Sequence, residues 1–197
     1  EGTFPRRTFI AQWEQVSNLA ERADTVTFQI QLEERSDDVR LQYSSVRSGR
    51  PDGLVFGPAG QLLVGSVDGD RILRYDDAVN FSANHVRTGA GSLSEPAGLL
   101  AGDGTAGGYG DLNGDGVDDL LVASYANDRV VAYSGDTASS ELNDGSVIAT
   151  LVAEGSGGLD GPRGLAYGPD HNLYVASFNT DQVLEFNGIT GAYVGGF

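Results

Sequence analysis

A pattern of residues recurs three times between Pro51 and Phe197, and this repeat limits the possible folds more than any other sequence feature. Each copy has a Pro-x-Gly-Leu start, a short apolar run, and a further run that closes on an aromatic residue. The copies are Pro51–Phe56, Leu62–Ser66 and Arg71–Tyr75; Pro96–Leu100, Leu120–Ser124 and Arg129–Tyr133; and Pro162–Tyr167, Leu173–Ser177 and Gln182–Phe186. The second run begins 13 residues before the closing aromatic residue in every copy, so the copies indicate one repeated folding unit.

Each copy also has a weaker fourth run, and turn residues separate the runs. The fourth runs lie around His85–Thr88, Val147–Val152 and Ala192–Val194. The turns between the second and third runs are Asp68–Asp70, Asn127–Asp128 and Asn179–Asp181, which we expect to be hairpin turns. Four short antiparallel strands per unit, without a helical period, are typical of a propeller blade.

The sequence therefore predicts an all-β chain with an incomplete β-propeller of about three four-stranded blades over residues 49–197. The predicted blades are approximately 51–92, 94–158 and 159–197. A closed ring needs roughly 4–8 blades, so we expect the chain to be a fragment of a longer protein. Self-assembly of several chains into one ring is the alternative.

The third copy resembles an NHL repeat. From Pro162 to Ser177 it reads PRGLAYGPDHNLYVAS, and the spacing of its runs agrees with that of the other two copies. The resemblance covers residues 51–197 and implies a β-propeller.

Residues 1–48 follow a different pattern, in which apolar and polar residues alternate. In Thr25–Leu32 the apolar residues of one face are Val26, Phe28, Ile30 and Leu32. The same alternation returns in 39–44 after a charged turn, Glu33–Asp38, and Thr8–Gln12 is a further candidate strand. A period of two predicts half-buried antiparallel strands, so we expect a β-sandwich-like segment before the propeller.

Three phrases of this segment resemble the C-terminal half of nidogen-like domains of secreted proteins. They are FIAQWEQV at Phe9–Val16, TFQIQL at Thr27–Leu32 and LQY at Leu41–Tyr43. The resemblance covers residues 8–46 and implies a partial nidogen-like domain in a secreted or cell-surface protein.

The second copy carries a 13-residue insertion between its first and second strands, and this insertion contains the loop DLNGDGVDD at Asp111–Asp119. Calcium takes six to eight oxygen ligands, and alternate residues of a short loop can point at one ion. The expected ligands are the side chains of Asp111, Asn113, Asp115 and Asp119 and the main-chain carbonyl of Val117. A solvated acidic hairpin turn is the alternative, but four carboxylates within nine residues repel one another unless a cation neutralises them.

Gly110–Val122 resembles the calcium loop of FG-GAP repeats in integrin-type propellers, because an apolar strand follows the loop. An EF-hand would need a glutamate at loop position twelve, where this chain has Val122. The resemblance implies a structural calcium site between the first and second strands of a blade.

The 28 acidic and 12 basic residues give a formal net charge of −16, which repels phosphates and anionic lipid and attracts cations. We therefore expect calcium but no nucleic acid as a partner, and no apolar run is long enough to enter a membrane. The predicted function is that of an extracellular or cell-surface calcium-binding module for adhesion, scaffolding or interaction with another secreted or surface protein or a glycan.

A propeller enzyme is the alternative function, since gluconolactonase-like hydrolases and streptogramin lyases have similar repeats. Such enzymes place a metal or a histidine at the centre of the ring. The only histidines, His85 and His171, lie in different copies and are expected at the surface. The sequence predicts no catalytic residue in this segment, so the active site of such an enzyme would lie in other blades.

Overall fold

The computed structural model of the chain describes residues 8–17, 25–33, 39–47, 51–57, 60–77, 80–102, 110–135 and 145–197. Within these ranges the regular structure consists of β-strands and single 3-10 turns, with no α-helix. None of the described helical segments is long and apolar enough to cross a membrane. The chain divides into two compact units, Glu1–Arg50 and Pro51–Phe197.

The first unit contains one antiparallel sheet of three strands in the order β1-β2-β3. These strands are β1 (Thr8–Ser17), β2 (Thr25–Glu33) and β3 (Val39–Arg47). Ile30 of β2 pairs with Leu41 of β3, so the two runs with a period of two lie side by side, as the alternation predicts. Beyond Glu33, the predicted charged turn lies outside the described residues.

The second unit contains three antiparallel sheets of four strands each, and every sheet is a simple meander. Blade one consists of β4 (Pro51–Phe56), β5 (Leu62–Ser66), β6 (Arg71–Asp77) and β7 (Asn80–Val86). Blade two consists of β8 (Pro96–Ala101), β9 (Leu120–Ser124), β10 (Arg129–Tyr133) and β11 (Val147–Val152). Blade three consists of β12 (Pro162–Tyr167), β13 (Leu173–Ser177), β14 (Gln182–Phe186) and β15 (Tyr193–Gly196). The predicted all-β fold with an incomplete propeller is confirmed.

Short 3-10 turns recur at two places in the second unit. Two of them, Ala90–Ser92 and Ser156–Gly158, lie in the connections between blades. The other two, Tyr125–Asn127 and Phe178–Thr180, lie between the second and third strands of their blades.

The fourth strand of blade one differs from the prediction, because it spans Asn80–Val86 and not His85–Thr88. The chain turns after Val86, where Gly89 adopts a left-handed conformation with φ 67°. The main-chain N–H of Gly89 donates to the carbonyl oxygen of Asp70 at 2.8 Å, which holds this turn against the neighbouring hairpin. Tertiary contact thus moves the end of the strand towards the N-terminus.

Two clusters of buried apolar side chains fill the spaces between the blades. Between blades one and two the cluster contains Leu63, Ile72, Val86, Leu93, Leu120, Val122, Val131 and Tyr133. Between blades two and three it contains Leu121, Val130, Ala132, Leu151, Val152, Leu159, Leu173, Val175, Leu184 and Phe186. Blade two is therefore apolar on both faces, and all five residues of β9 are buried. Full burial of each such Leu or Val contributes about 1.5–3 kcal/mol relative to exposure.

The first strands of the three blades lie next to one another, and a glycine makes each close approach possible. A Cβ atom added to Gly53 would lie 2.0 Å from the carbonyl oxygen of Ala97, and one added to Gly98 would lie 1.7 Å from that of Arg163. Side chains at these positions would push the blades apart. The glycines of the first two Pro-x-Gly motifs are thus needed for contact with the next blade.

A left-handed aspartate in each of the first two blades fixes the connection to the following blade. Asp70 and Asp128 have φ values of 46° and 52° and end the turns between the second and third strands. Their Oδ1 atoms accept hydrogen bonds at 2.8 Å from the main-chain N–H groups of Glu95 and Gly161, each of which directly precedes the first strand of the next blade. The predicted hairpin turns are confirmed, and they also link neighbouring blades.

Candidate metal centre

The aspartate-rich loop lies between β8 and β9 of blade two, and hydrogen bonds close its base. The main-chain N–H of Asp119 donates to the carbonyl oxygen of Gly110 at 2.7 Å. The N–H of Gly102, just after β8, donates to the carbonyl oxygen of Asp119 at 3.2 Å. The end of the loop is thereby tied both to its start and to the first strand of the blade.

The loop winds around the carboxylate of Asp111. The Oδ1 atom of Asp111 accepts hydrogen bonds from the main-chain N–H groups of Gly114 at 2.7 Å and Asp115 at 3.1 Å. Its Oδ2 atom accepts one from Gly116 at 2.9 Å. Gly114 and Gly116 have φ values of 77° and 87°, a region that L side chains rarely adopt, so the winding requires glycine at both positions.

The structure brings three of the predicted ligands together, because the side chain of Asn113 contacts those of Asp115 and Asp119. Its Nδ2 atom lies 3.0 Å from Oδ2 of Asp115 and 3.4 Å from Oδ1 of Asp119. Its Oδ1 atom accepts a hydrogen bond from the main-chain N–H of Asp115 at 2.9 Å. Val117, whose main-chain carbonyl is a further predicted ligand, is held in the same loop, because its N–H group donates to Oδ1 of Asp115 at 2.9 Å. The amide group of Asn113 stands between two carboxylates and supplies the partial positive charge they need.

Asp119 is the most buried acid of the loop, with 1% of its surface exposed. Its carboxylate accepts hydrogen bonds from the N–H groups of Leu112 at 2.7 Å and Gly135 at 3.1 Å. Burial raises the pKa of Asp119 to about 6, the negative charge of Asp115 adds to this rise, and the backbone hydrogen bonds oppose it. A cation at this position would remove much of the cost of keeping the carboxylate charged.

The donor set consists of oxygen atoms alone, namely three carboxylates, one amide and one main-chain carbonyl, and this chemistry fits calcium. Among the residues that the structure describes, no three Asp, Glu, His or Cys side chains converge closely enough to form a metal site by themselves. The carboxylate oxygens instead accept hydrogen bonds from the loop. For Asn113 to serve as a ligand, its amide would have to turn its oxygen towards Asp115 and Asp119. The predicted calcium site therefore stays a prediction.

Neither histidine lies in this loop, and one of them differs from expectation. His171 is exposed, in the turn between β12 and β13, with a φ of 64°. The sequence predicts His85 at the surface, but in the structure it lies in β7 and is only 3% exposed, so this prediction is wrong. A Cβ atom on Gly145 would lie against the carbonyl oxygen of His85, so the main chain of β7 packs against a residue far along the chain.

Residues 1–83 match the family model described as "NIDO related". The matched residues extend from the first unit through β6 and into β7 of blade one. No curated protein sequence is significantly similar to the chain.

Solved structures with a similar fold are propellers with different roles. A virginiamycin B lyase from Staphylococcus aureus is 13% identical with a TM-score of 0.53, and the match covers 88% of this chain and 51% of the lyase. A chain of a nidogen–laminin complex is 16% identical with a TM-score of 0.53, over 92% of this chain and 58% of that one. An auxiliary nutrient binding protein from Bacteroides ovatus is 10% identical with a TM-score of 0.52, over 81% and 44%. The chain spans about half the length of these structures, and at such low identity the similarity shows the fold alone.

Proposed function

We propose that the chain is a binding module of an extracellular or cell-surface protein, in which calcium stiffens one propeller blade. The observation that carries the proposal is the position of Asn113, whose amide bridges the carboxylates of Asp115 and Asp119 in a loop wound around Asp111. A cation bound between Asp115 and Asp119 would take over the role of this amide, and this supports the proposed site.

The negative charges of the loop favour the binding of a cation. Asp118 and Asp119 are both buried, at 6% and 1% exposure, and Asp111 and Asp115 lie in the same short loop. Buried carboxylates are costly unless they are paired or bind a metal. The expected affinity is that of calcium sites in extracellular modules, with a Kd of about 10⁻⁴–10⁻³ M. Binding would then strengthen the junction between β8 and β9, since Asp119 is hydrogen-bonded to Gly102 after β8, to Leu112 within the loop and to Gly135 after β10.

The proposed extracellular role rests on the first unit and on the charge. A NIDO-related family model covers residues 1–83, and one of the structures with a similar fold is a nidogen–laminin complex. These similarities support a protein partner more than a small substrate. The net charge of −16 favours a partner that is neutral or basic where it touches this chain.

We further propose that this segment has no catalytic site. His85 lies in the fourth strand of blade one and His171 in a turn of blade three, so the two side chains do not share one strand or one end of a sheet. The propeller fold is shared with a lyase, which keeps an enzyme as the competing function for the whole protein.

Isothermal titration of calcium into the chain tests the metal site. We expect a measurable heat of binding with a Kd of about 10⁻⁴–10⁻³ M, and we expect Asp115→Asn to abolish it. Asp170→Asn is the matched control, because Asp170 is also exposed and its substitution removes the same charge outside the loop. Equal calcium binding by both variants would mean that the loop is not the site.

Protease treatment of intact cells that produce the tagged full-length protein tests the location. We expect the tag to be digested, or to be recovered in the medium. A tag that is protected until the cells are lysed would refute the extracellular assignment.

A further inference from the structure

Two asparagines of the chain are followed by glycine, and the structure places the two pairs in different surroundings. Asn113 and Gly114 are both exposed in the aspartate-rich loop. A Cβ atom added to Gly114 would meet no atom of the described residues within 4 Å, apart from those of its chain neighbours. Asn187 and Gly188 lie in the turn before β15, where Gly188 is buried and an added Cβ would lie against the carbonyl oxygen of His171. The main chain is thus open around the first pair and enclosed around the second.

An asparagine that precedes glycine can cyclise without a catalyst, because glycine has no side chain to hinder the approach of its main-chain nitrogen. In this reaction the nitrogen of Gly114 forms a bond to Cγ of Asn113, and its proton leaves with Nδ2 as ammonia. Water then opens the five-membered succinimide at one of its two carbonyl carbons. Attack at Cγ gives aspartate at position 113, and attack at the main-chain carbonyl gives isoaspartate. The reaction consumes one water, releases one ammonia and needs no oxidant or reductant.

The contacts of Asn113 and Gly114 favour this reaction. The main-chain N–H of Asp115 donates to Oδ1 of Asn113 at 2.9 Å, so it would stabilise the negative charge that develops on this oxygen during the attack. The N–H of Gly114 donates to Oδ1 of Asp111 at 2.7 Å, so an acceptor already faces the proton that the nitrogen must lose. A donor for the developing charge and an acceptor for the proton are therefore in place before the reaction begins.

The second pair also has a donor to Oδ1, but further contacts fix it in place. Oδ1 of Asn187 accepts hydrogen bonds from the N–H groups of Ile189 at 3.1 Å and Thr190 at 2.8 Å, and from the hydroxyl of Thr190 at 3.0 Å. The carbonyl oxygen of Asn187 accepts a further one from the N–H of Gly191 at 2.9 Å. Because Gly188 is buried within this turn, its nitrogen can approach Cγ of Asn187 only if the turn opens.

We propose that Asn113 is a site of spontaneous deamidation, and that loss of its amide makes the loop depend on a cation. Nδ2 of Asn113 donates to Oδ2 of Asp115 at 3.0 Å and to Oδ1 of Asp119 at 3.4 Å. Deamidation replaces this donor with a carboxylate oxygen, so two attractive contacts become repulsive contacts between like charges. The amide holds the unmodified loop together, whereas the modified loop needs a cation between its carboxylates. Only this second step rests on the proposed calcium site.

Peptide mapping by mass spectrometry tests the modification. The purified chain is kept in mildly alkaline buffer, which favours loss of the main-chain proton, and the peptides that contain Asn113 and Asn187 are followed over time. We expect conversion at Asn113 to be about tenfold faster or more, because small losses of alignment slow such reactions strongly. In urea both pairs should convert at similar rates, since the folded structure makes the difference. No conversion at Asn113 in the folded chain, or conversion no faster than at Asn187, would overturn the proposal.

Two substitutions test the effect on the loop. Asn113→Asp reproduces the aspartate product, and Asn187→Asp is the matched control, because a carboxylate can keep the three hydrogen bonds that Oδ1 of Asn187 accepts. With a chelator present, we expect Asn113→Asp to lower the Tm by about 3–5 °C and Asn187→Asp to change it by about 1 °C or less. Calcium should restore the Tm of Asn113→Asp. Equal Tm values for the two variants would refute the effect on the loop, and a loss that calcium does not reverse would count against the proposed calcium site but not against deamidation.

Discussion

Replacement of Gly98 by alanine tests whether the blades are held together by close contact between their first strands. The added Cβ would lie 1.7 Å from the carbonyl oxygen of Arg163 and 2.8 Å from its carbonyl carbon. Both atoms belong to the backbone, so β8 and β12 would have to separate by roughly 1 Å or more. Overpacking of this kind costs about 1–3 kcal/mol, and a backbone obstacle favours the upper end of that range.

Gly164→Ala is the control, because it makes the same chemical change at the equivalent position of blade three. Its added Cβ would make an ordinary contact of 3.5 Å with Ala176. Neither Gly98 nor Gly164 has a positive φ, so backbone strain does not distinguish the two variants. We expect Gly164→Ala to be neutral or to stabilise the chain by about 0.4–1 kcal/mol, because alanine lowers the entropy of the unfolded chain.

Thermal unfolding of the chain Glu1–Phe197, followed by circular dichroism, measures the difference. We expect Gly98→Ala to lower the Tm by about 5–10 °C and Gly164→Ala to leave it unchanged or slightly higher. Equal effects of the two substitutions would refute the idea that the glycine of the Pro-x-Gly motif is required by the neighbouring blade.

Three further outcomes are expected. Tyr133→Phe should lower the free energy of unfolding, measured in urea, by about 1–2 kcal/mol with an unchanged m-value, because the buried hydroxyl donates to the carbonyl oxygen of Ala90 at 2.7 Å. An unchanged midpoint would show that this hydrogen bond does not contribute to stability. In calcium-free protein, Asp119 should make unfolding pH-dependent. Its raised pKa of about 6 means that the folded state binds a proton more tightly than the unfolded state. The contribution of Asp119 to stability should thus be fully present below pH about 4 and be lost, by up to about 3 kcal/mol, as the pH rises through 6, and Asp119→Asn should remove this part of the pH dependence; an equal slope in the variant would place the titrating group elsewhere. Addition of 1 mM calcium at pH 7 should raise the Tm by about 3–5 °C for a Kd of about 10⁻⁴ M, and a chelator should reverse the shift; identical melting curves would argue against the site.

Much of the fold follows from local patterns in the sequence. The three Pro-x-Gly copies and the constant 13-residue spacing predict the blades, because strand alternation and turn residues act over short distances along the chain. The loop between β8 and β9 was predicted for the same reason, since Asp111, Asn113 and Asp115 lie at alternate positions beside the glycines that turn the chain. The winding of the loop around Asp111 is likewise a contact within five residues of sequence.

Other features depend on residues that are distant in sequence, and only the tertiary structure shows them. Asp70 binds the N–H of Glu95, 25 residues later, and Asp128 binds that of Gly161, 33 residues later. Asp119 is buried where the chain returns at Gly135, and residue 98 must be a glycine because the main chain of Arg163 lies against it. A local pattern identifies a turn or an acidic loop, but burial and close approach are set by whichever strand packs next to it, and that neighbour is determined by how the blades stack.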